Sequence, residues 1–249
     1  MRRALAGLAA IVLLASGCGG GSDKPTIKVS AAASLKSAFE AYANEFDAAE
    51  ASFSFAGSDE LAAQIRQGVK PDVYAAANTK LPDELFAKGL VEKPVAFAAN
   101  RLVIAVPRGN GKVGTIGDLA KPGIRIAAGS ATVPIGSYTR AVLSRLPAGE
   151  AEAIEGNIRS NEPDVAGVVA KVAEGAVDAG FVYATDVKAA PDRLDQVAIP
   201  PRLEPRVVYG AAVVKGAAHP AEARRFIDGL LAGNGLRALV DAGFLPPAR

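Results

Sequence analysis

The chain has 249 residues, half of them apolar, with nine Phe, five Tyr and no Trp, enough for one large or two smaller cores of an ordinary α/β protein. Its formal charge of +2 falls to zero once Arg2 and Arg3 leave with the leader described below, so there is no electrostatic case for nucleic-acid binding. A single cysteine and a single histidine argue against a zinc cluster, a thiol relay or a serine triad in the folded part.

Met1-Arg2-Arg3 followed by the apolar run Ala4 to Ala15 reads as a secretion signal, too short to be a stable membrane span. Residues 1–17 are therefore expected to be absent from the mature protein. Leu14-Ala15-Ser16-Gly17-Cys18 resembles a bacterial lipobox, in which Cys18 is acylated and becomes the new N-terminus. An ordinary signal-peptidase cut is the alternative. Residues 18–24, with Gly19-Gly20-Gly21-Ser22-Asp23, then read as a flexible tether. The expected address is extracytoplasmic, held at the membrane only by a lipid.

From Thr26 the chain alternates. Thr26 to Ala32 predicts a buried strand, and Leu35, Ala38, Phe39, Tyr42, Ala43 and Phe46 recur at helical spacing after it. Ser52 to Ala56 predicts a second strand, Asp59 to Gln67 a helix closed by Gly68, Val73 to Ala76 a third strand, and Leu81 to Lys88 a helix followed by Gly89. This rhythm implies an α/β fold with mostly parallel sheets flanked by helices. Arg101 to Val106 predicts a strand, and Pro107 with the turn Arg108-Gly109-Asn110-Gly111 marks a crossover.

A second block repeats the pattern, with strand Ile124 to Ala128, helices Gly136 to Leu146 and Val165 to Glu174, and strand Ala179 to Tyr183. Pro200-Pro201 and Pro205 precede strand Val207 to Val214, and Ala221 to Leu231 and Gly235 to Asp241 predict closing helices. Residues 25–104 with 208–249 are expected to form one lobe and residues 105–207 the other. No internal repeat is visible in the sequence itself.

Several motifs carry little chemistry. Gly109-Asn110-Gly111-Lys112-Val113-Gly114 matches G-x-G-x-x-G, but no long helix opens within it and no carboxylate lies between Leu119 and Gly149, so it reads as a surface turn. His219, before Pro220, reads as a helix entry. Asp59-Glu60 and Asp83-Glu84 fall in first helical turns, where they complement the dipole.

Four strand-to-helix junctions are more informative: Ala31-Ala32-Ala33-Ser34-Leu35, Phe55-Ala56-Gly57-Ser58, Val133-Pro134-Ile135-Gly136 and Pro163-Asp164-Val165. A helix start leaves its first backbone donors unpaired and carries partial positive charge, so converging starts bind an anion without a cationic side chain. Ser34 and Ser58 are also residue types that cap helices, and that reading stands beside the other. Tyr183, at a strand end, is either a core tyrosine or a single long-reach donor.

At these residues, and at Leu61, Gln64-Ile65, Pro71-Asp72-Val73, Ser137-Tyr138 and Gly180-Phe181-Val182-Tyr183, the chain resembles the bacterial periplasmic molybdate-binding proteins, receptors of molybdate ABC importers. The likeness spans residues 25–249. It implies a two-lobed clamshell of the type II periplasmic-binding-protein fold, with no catalytic activity and no cofactor. Molybdate, and tungstate with it, would be held between the lobes by Ser34 and Ser58 from the first and by the amides of Ile135 and Val165 with the Tyr183 hydroxyl from the second; molybdenum enters only as the oxyanion. The partner is an ABC permease, and the receptor is expected to be a monomer. Ile135 stands where Ala is commoner and Gly57 where Ser is. Both departures are expected to matter little, since a position used through its amide tolerates side-chain change when the backbone is kept, although Ile135 has the bulk to narrow the pocket. The rivals are a sulfate or other tetrahedral-oxyanion receptor, a ferric-ion receptor, which would want paired tyrosines or carboxylates, and a transferase on the same two-lobe fold.

Overall fold

The structure is a computed structural model that describes residues 24–247. The signal segment, Cys18 and all of the tether except Lys24 lie outside the described residues. The strands are β1 (Thr26–Ala32), β2 (Glu50–Ala56), β3 (Val73–Ala76), β4 (Val95–Asn100), β5 (Leu102–Pro107), β6 (Ile126–Gly129), β7 (Ile158–Glu162), β8 (Ala179–Tyr183), β9 (Leu194–Ala198) and β10 (Val207–Val213). The helices are α1 (Lys36–Ala43), α2 (Ser58–Arg66), α3 (Lys80–Ala87), α4 (Pro134–Leu143), α5 (Ala148–Asn157), α6 (Val165–Ala173), α7 (Ala184–Lys188), α8 (Pro220–Leu231) and α9 (Asn234–Ala242). Short 3-10 turns cover Ala33–Leu35 and Ile116–Ala120.

The strands form two five-stranded sheets, in the orders β2-β1-β3-β10-β4 and β7-β6-β8-β5-β9. Both follow one plan. In the first, β1 is parallel to β2 and β3 while β10 runs antiparallel to β3 and β4; in the second, β6 is parallel to β7 and β8 while β5 runs antiparallel to β8 and β9. Four strands of each sheet therefore share a direction, and the strand that entered from the other lobe opposes them. The central strands β3 and β8 are buried along their whole length, as strands covered by helices on both faces must be.

Each lobe closes its faces with helices whose apolar positions match the strand surface. In the first, Phe39 on α1 and Phe226 on α8 meet edge to face at 5.5 Å, and the Tyr42 hydroxyl donates to the Phe226 carbonyl at 3.2 Å. Gly229 makes that seat possible, since a Cβ there would lie 1.9 Å from the Tyr42 hydroxyl. Such a glycine costs roughly 0.5–1 kcal/mol of helix propensity, which the buried aromatic contacts offset.

The chain crosses between sheets at Arg101, because β4 ends at Asn100 in the first sheet and β5 begins at Leu102 in the second. Residues 102–104, expected in the first lobe, therefore pair in the second sheet, and Val207, expected in the second, pairs with Asn100 in the first. The Pro107 turn is the louder signal, yet it is an ordinary surface connection, with the Arg108 amide bonded to the Arg193 carbonyl at 2.8 Å. A crossing of one residue leaves no turn signature. Asn100 braces it by donating to Thr185 Oγ1 at 2.9 Å, and Arg145 holds the return segment through the Leu203 and Glu204 carbonyls at 3.0 and 2.7 Å.

In both lobes the parallel strands point their carboxyl ends toward the other lobe, where open α/β sheets place their ligands.

Candidate functional site

A cavity of about 20 Å³ lies between the lobes, room for one small compact group rather than a sugar or a peptide. The first lobe lines it with Ala32, Ala33 and Ser34 after β1, with Ala56, Gly57 and Ser58 where β2 enters α2, and with Ala77 after β3. The second lobe adds Val133, Pro134 and Ile135 at the start of α4, Asp164 and Val165 at the start of α6, and Tyr183 at the end of β8. All five expected ligand residues, Ser34, Ser58, Ile135, Val165 and Tyr183, thus share one wall-to-wall space. The first amides of α2, α4 and α6 have no partner within their own helices. Pro134 occupies the first turn of α4, where its missing N–H removes nothing the helix needs.

Neither serine caps a helix with its side chain. Ser58 Oγ accepts from the Ala77 amide at 3.1 Å, and the Ser58 carbonyl accepts from the Tyr74 hydroxyl at 2.7 Å. With its oxygen engaged, the Ser58 hydroxyl keeps its proton for another acceptor. Ser34 Oγ lies 3.0 Å from the Tyr209 hydroxyl. Where Tyr209 donates, the Ser34 proton is freed in the same way.

Tyr183 is almost fully buried, and among the described residues its hydroxyl has no hydrogen-bond partner of good geometry, Tyr209 being its nearest polar neighbour. Burial, reinforced by Tyr209, Tyr138 and Asp186, pushes its pKa well above the ordinary tyrosine value, so it remains a donor at physiological pH. A buried unpaired hydroxyl facing a cavity is costly unless something in the cavity accepts from it.

Among the described residues, Asp164 is the single charged one lining the cavity. Its carboxylate caps α6 by accepting from the Gly167 amide at 3.0 Å. Asp186 stands behind the wall in α7 and accepts from the Tyr183 amide at 2.8 Å; burial, assisted by the Asp164 charge and opposed by that amide, raises its pKa to about 7. No group of three or more His, Cys, Asp or Glu side chains that could hold a metal ion occurs among the described residues.

The geometry bears on both departures. Ile135 Cγ2 packs over Gly129, where an added Cβ would come 2.4 Å from it, so a branch of this lining side chain has a seat on the second lobe. Position 57 does not tolerate a side chain as this structure stands, because a Cβ would fall 2.5 Å from the Pro163 carbonyl oxygen. Tyr209 escapes sequence reasoning altogether, since inside β10 it reads as core and its partner Ser34 is 175 residues away.

A model of the bacterial extracellular solute-binding proteins matches residues 27–245. The chain belongs to this family. This solute-binding protein is 37% identical over 228 residues to the molybdate-binding protein ModA of Mycobacterium tuberculosis, covering 89% of this chain and 85% of that one. Its fold matches the Azotobacter vinelandii periplasmic molybdate-binding protein at a TM-score of 0.80, with 24% identity over 89% of this chain and 100% of the other. It also matches the sulfate-binding protein SubI of Mycobacterium tuberculosis at 0.79, with 16% identity over 89% and 87% of the two chains. At such identities the two structures establish the two-lobe fold alone. The solute-binding protein is not an enzyme, and its family works outside the cytoplasm.

Proposed function

We propose that this protein captures molybdate, and tungstate with it, between its lobes and delivers it to an ABC permease. The observation that carries the reading is the Tyr183 hydroxyl, buried without a partner among the described residues, on a cavity whose other lining donors are the Ser34 and Ser58 hydroxyls and helix-start amides. A tetrahedral dianion has only acceptors, which suits this set. Hydrogenphosphate carries a proton that needs an acceptor, and among the described lining residues the one carboxylate, Asp164, has one of its oxygens committed to the Gly167 amide. Hydrogen bonds to a charged group are worth roughly 1.5–3 kcal/mol each, so several together offset the cost of stripping water from the ion. The 37% identity to a protein named for molybdate supports the choice of ion.

Sulfate is the second reading, because it shares charge and shape with molybdate and because a sulfate-binding protein shares the fold. Size alone separates the two ions. Calorimetric titration with molybdate, tungstate, sulfate and phosphate tests both: molybdate and tungstate should bind at least about a hundredfold tighter than the others, a gap of roughly 2.7 kcal/mol. Sulfate or phosphate binding as tightly as molybdate would reject the assignment.

The apolar leader ending at Cys18 and the glycine-rich segment after it support a lipid anchor on the outer side of the membrane. Cys18→Ala should release the protein from washed membranes with its anion affinity unchanged, because Cys18 and the tether are not among the residues that line the cleft. Retention of the variant in the membrane fraction would speak against acylation.

A further inference from the structure

Glycine at position 57 has no conformational cause. Its φ of −59° and ψ of 134° lie in a region open to every L residue. What excludes a side chain is the other lobe. A Cβ there would stand 2.5 Å from the Pro163 carbonyl oxygen and 3.0 Å from Asp59 Oδ1. The Asp59 side chain can swing aside; the carbonyl is backbone, and its segment is braced on both sides. The Ser130 amide donates to the Glu162 carbonyl at 2.8 Å, and Asp164 caps α6 through Gly167 at 3.0 Å. On the facing lobe the Gly57 carbonyl accepts from the Leu61 amide at 3.1 Å, fixing it to the first turn of α2. Two held backbones, one from each lobe, therefore meet beside Ser58 and Val165.

We propose that Gly57 is a positioning residue whose bare Cα, closing against the Pro163 carbonyl, sets how near the lobes approach and hence the size of the anion cage. This rests on the cleft reading above. The 2.5 Å separation falls about 1 Å short of ordinary van der Waals contact, so a methyl group must hold the lobes apart by a comparable amount at that edge. Ser34 and Ser58 ride on one lobe, and Ile135, Val165 and Tyr183 on the other. A hydrogen bond of 2.9 Å stretched by about 1 Å is no longer one, so the cage loses donors from one side or the other. The smaller sulfate, which needs the cage at its tightest, suffers more than molybdate.

The test uses Gly57→Ala and Gly57→Val in the complete protein, with stopped-flow binding of molybdate, tungstate and sulfate and a ligand-free thermal melt. The dissociation constant for molybdate should rise at least about tenfold in the Ala variant and further in the Val variant, almost wholly through faster dissociation. Association should stay within about twofold, because the open form that captures the ion is untouched. The ligand-free melting midpoint should stay within about 2 °C of the parent. An Ala variant with the parent's dissociation rate overturns the inference, and so does a loss matched by a lower ligand-free midpoint, which would be a folding defect. A parent that takes up none of the three anions overturns the cleft reading and this inference together; a parent that binds while its variants match it overturns this inference alone.

Discussion

Ser34, Ser58 and Tyr183 each place one hydroxyl on the cavity, and deleting it leaves the lobe scaffold nearly intact. Ser34→Ala, Ser58→Ala and Tyr183→Phe should each weaken molybdate binding by about 1.5–3 kcal/mol, ten- to a hundredfold in Kd, and by less where water fills the gap. Calorimetry on the three variants checks this, and affinities equal to the parent's would remove these residues from the site. Tyr209→Phe should show a smaller loss, because it strips Ser34 of its 3.0 Å partner without touching the ion. Asp186 gives a pH signature. Its folded-state pKa is raised from 3.8 to about 7, so between those values the folded protein holds a proton that the unfolded chain has released. The stability linked to that proton is complete below the lower value and lost as pH rises through the upper one. Asp186→Asn, which can still accept from the Tyr183 amide, should flatten the fall in urea midpoint between pH 5 and pH 8; an unchanged fall would assign it to other groups. At this scale the junctions that line the cavity were legible because runs of small residues between strand and helix stand out in the sequence, whereas the donor roles proposed for single residues rest on the resemblance. Tyr209 and Asp186 were not, because both act by propping another residue.

Long-range ties between elements repeat one device, a buried carboxylate accepting from backbone amides. Asp72, 1% exposed, accepts from the Lys28 amide on β1 and the His219 amide before α8, both at 2.7 Å. Asp178 does the same in the second lobe with the Arg125 amide at 2.9 Å and Lys112 Nζ at 2.7 Å. Asp72→Ala would leave two part-buried donors without their partner, at up to about 1–3 kcal/mol each. The expected outcome is a lower denaturant midpoint with molybdate affinity preserved, because the tie is at the far end of β1 from Ser34; a variant as stable as the parent would mean water replaces the carboxylate. The tie also explains His219, which enters α8 through its backbone amide and has no catalytic task to do. Among elements, the central strands β3 and β8 were read to the residue, since burial on both faces writes a continuous apolar run; β1 was too, although its Thr26 and Lys28 are exposed. Strand β4 (Val95–Asn100) went unseen, and so did the edge strands β7 and β9. Their sequences, IRSNE and LDQVA, leave residues exposed to solvent, and half-wet edges need no apolar pattern. α5 carries AGEAEAIEGN, with only Ile154 and Asn157 buried, too few anchors to show a helical period.

The two lobes share one strand plan without sharing a visible sequence repeat, because a sheet order is fixed by which residues are apolar rather than by which apolar residues they are. Function at the scale of the whole molecule depends on what that plan leaves between the lobes. The protein donors come from both sheets, so the full set exists only when the lobes are together, and an ion that binds the full set must favour that arrangement. The connections are few: one crossing at Arg101 and a return between β9 and β10 confine the chain's passage between the lobes to a narrow strip. Small-angle scattering should therefore record a smaller radius of gyration with saturating molybdate than without it. The ligand-free form should be the more open one, because nothing then offsets the cost of a buried, unpaired Tyr183 hydroxyl, and opening returns that group to water. An unchanged radius in a protein shown by calorimetry to be saturated would place the ion within a single lobe. In that case Ile135, Val165 and Tyr183 could not act together with Ser34 and Ser58, and the loss of affinity on substitution should be confined to one of the two sets.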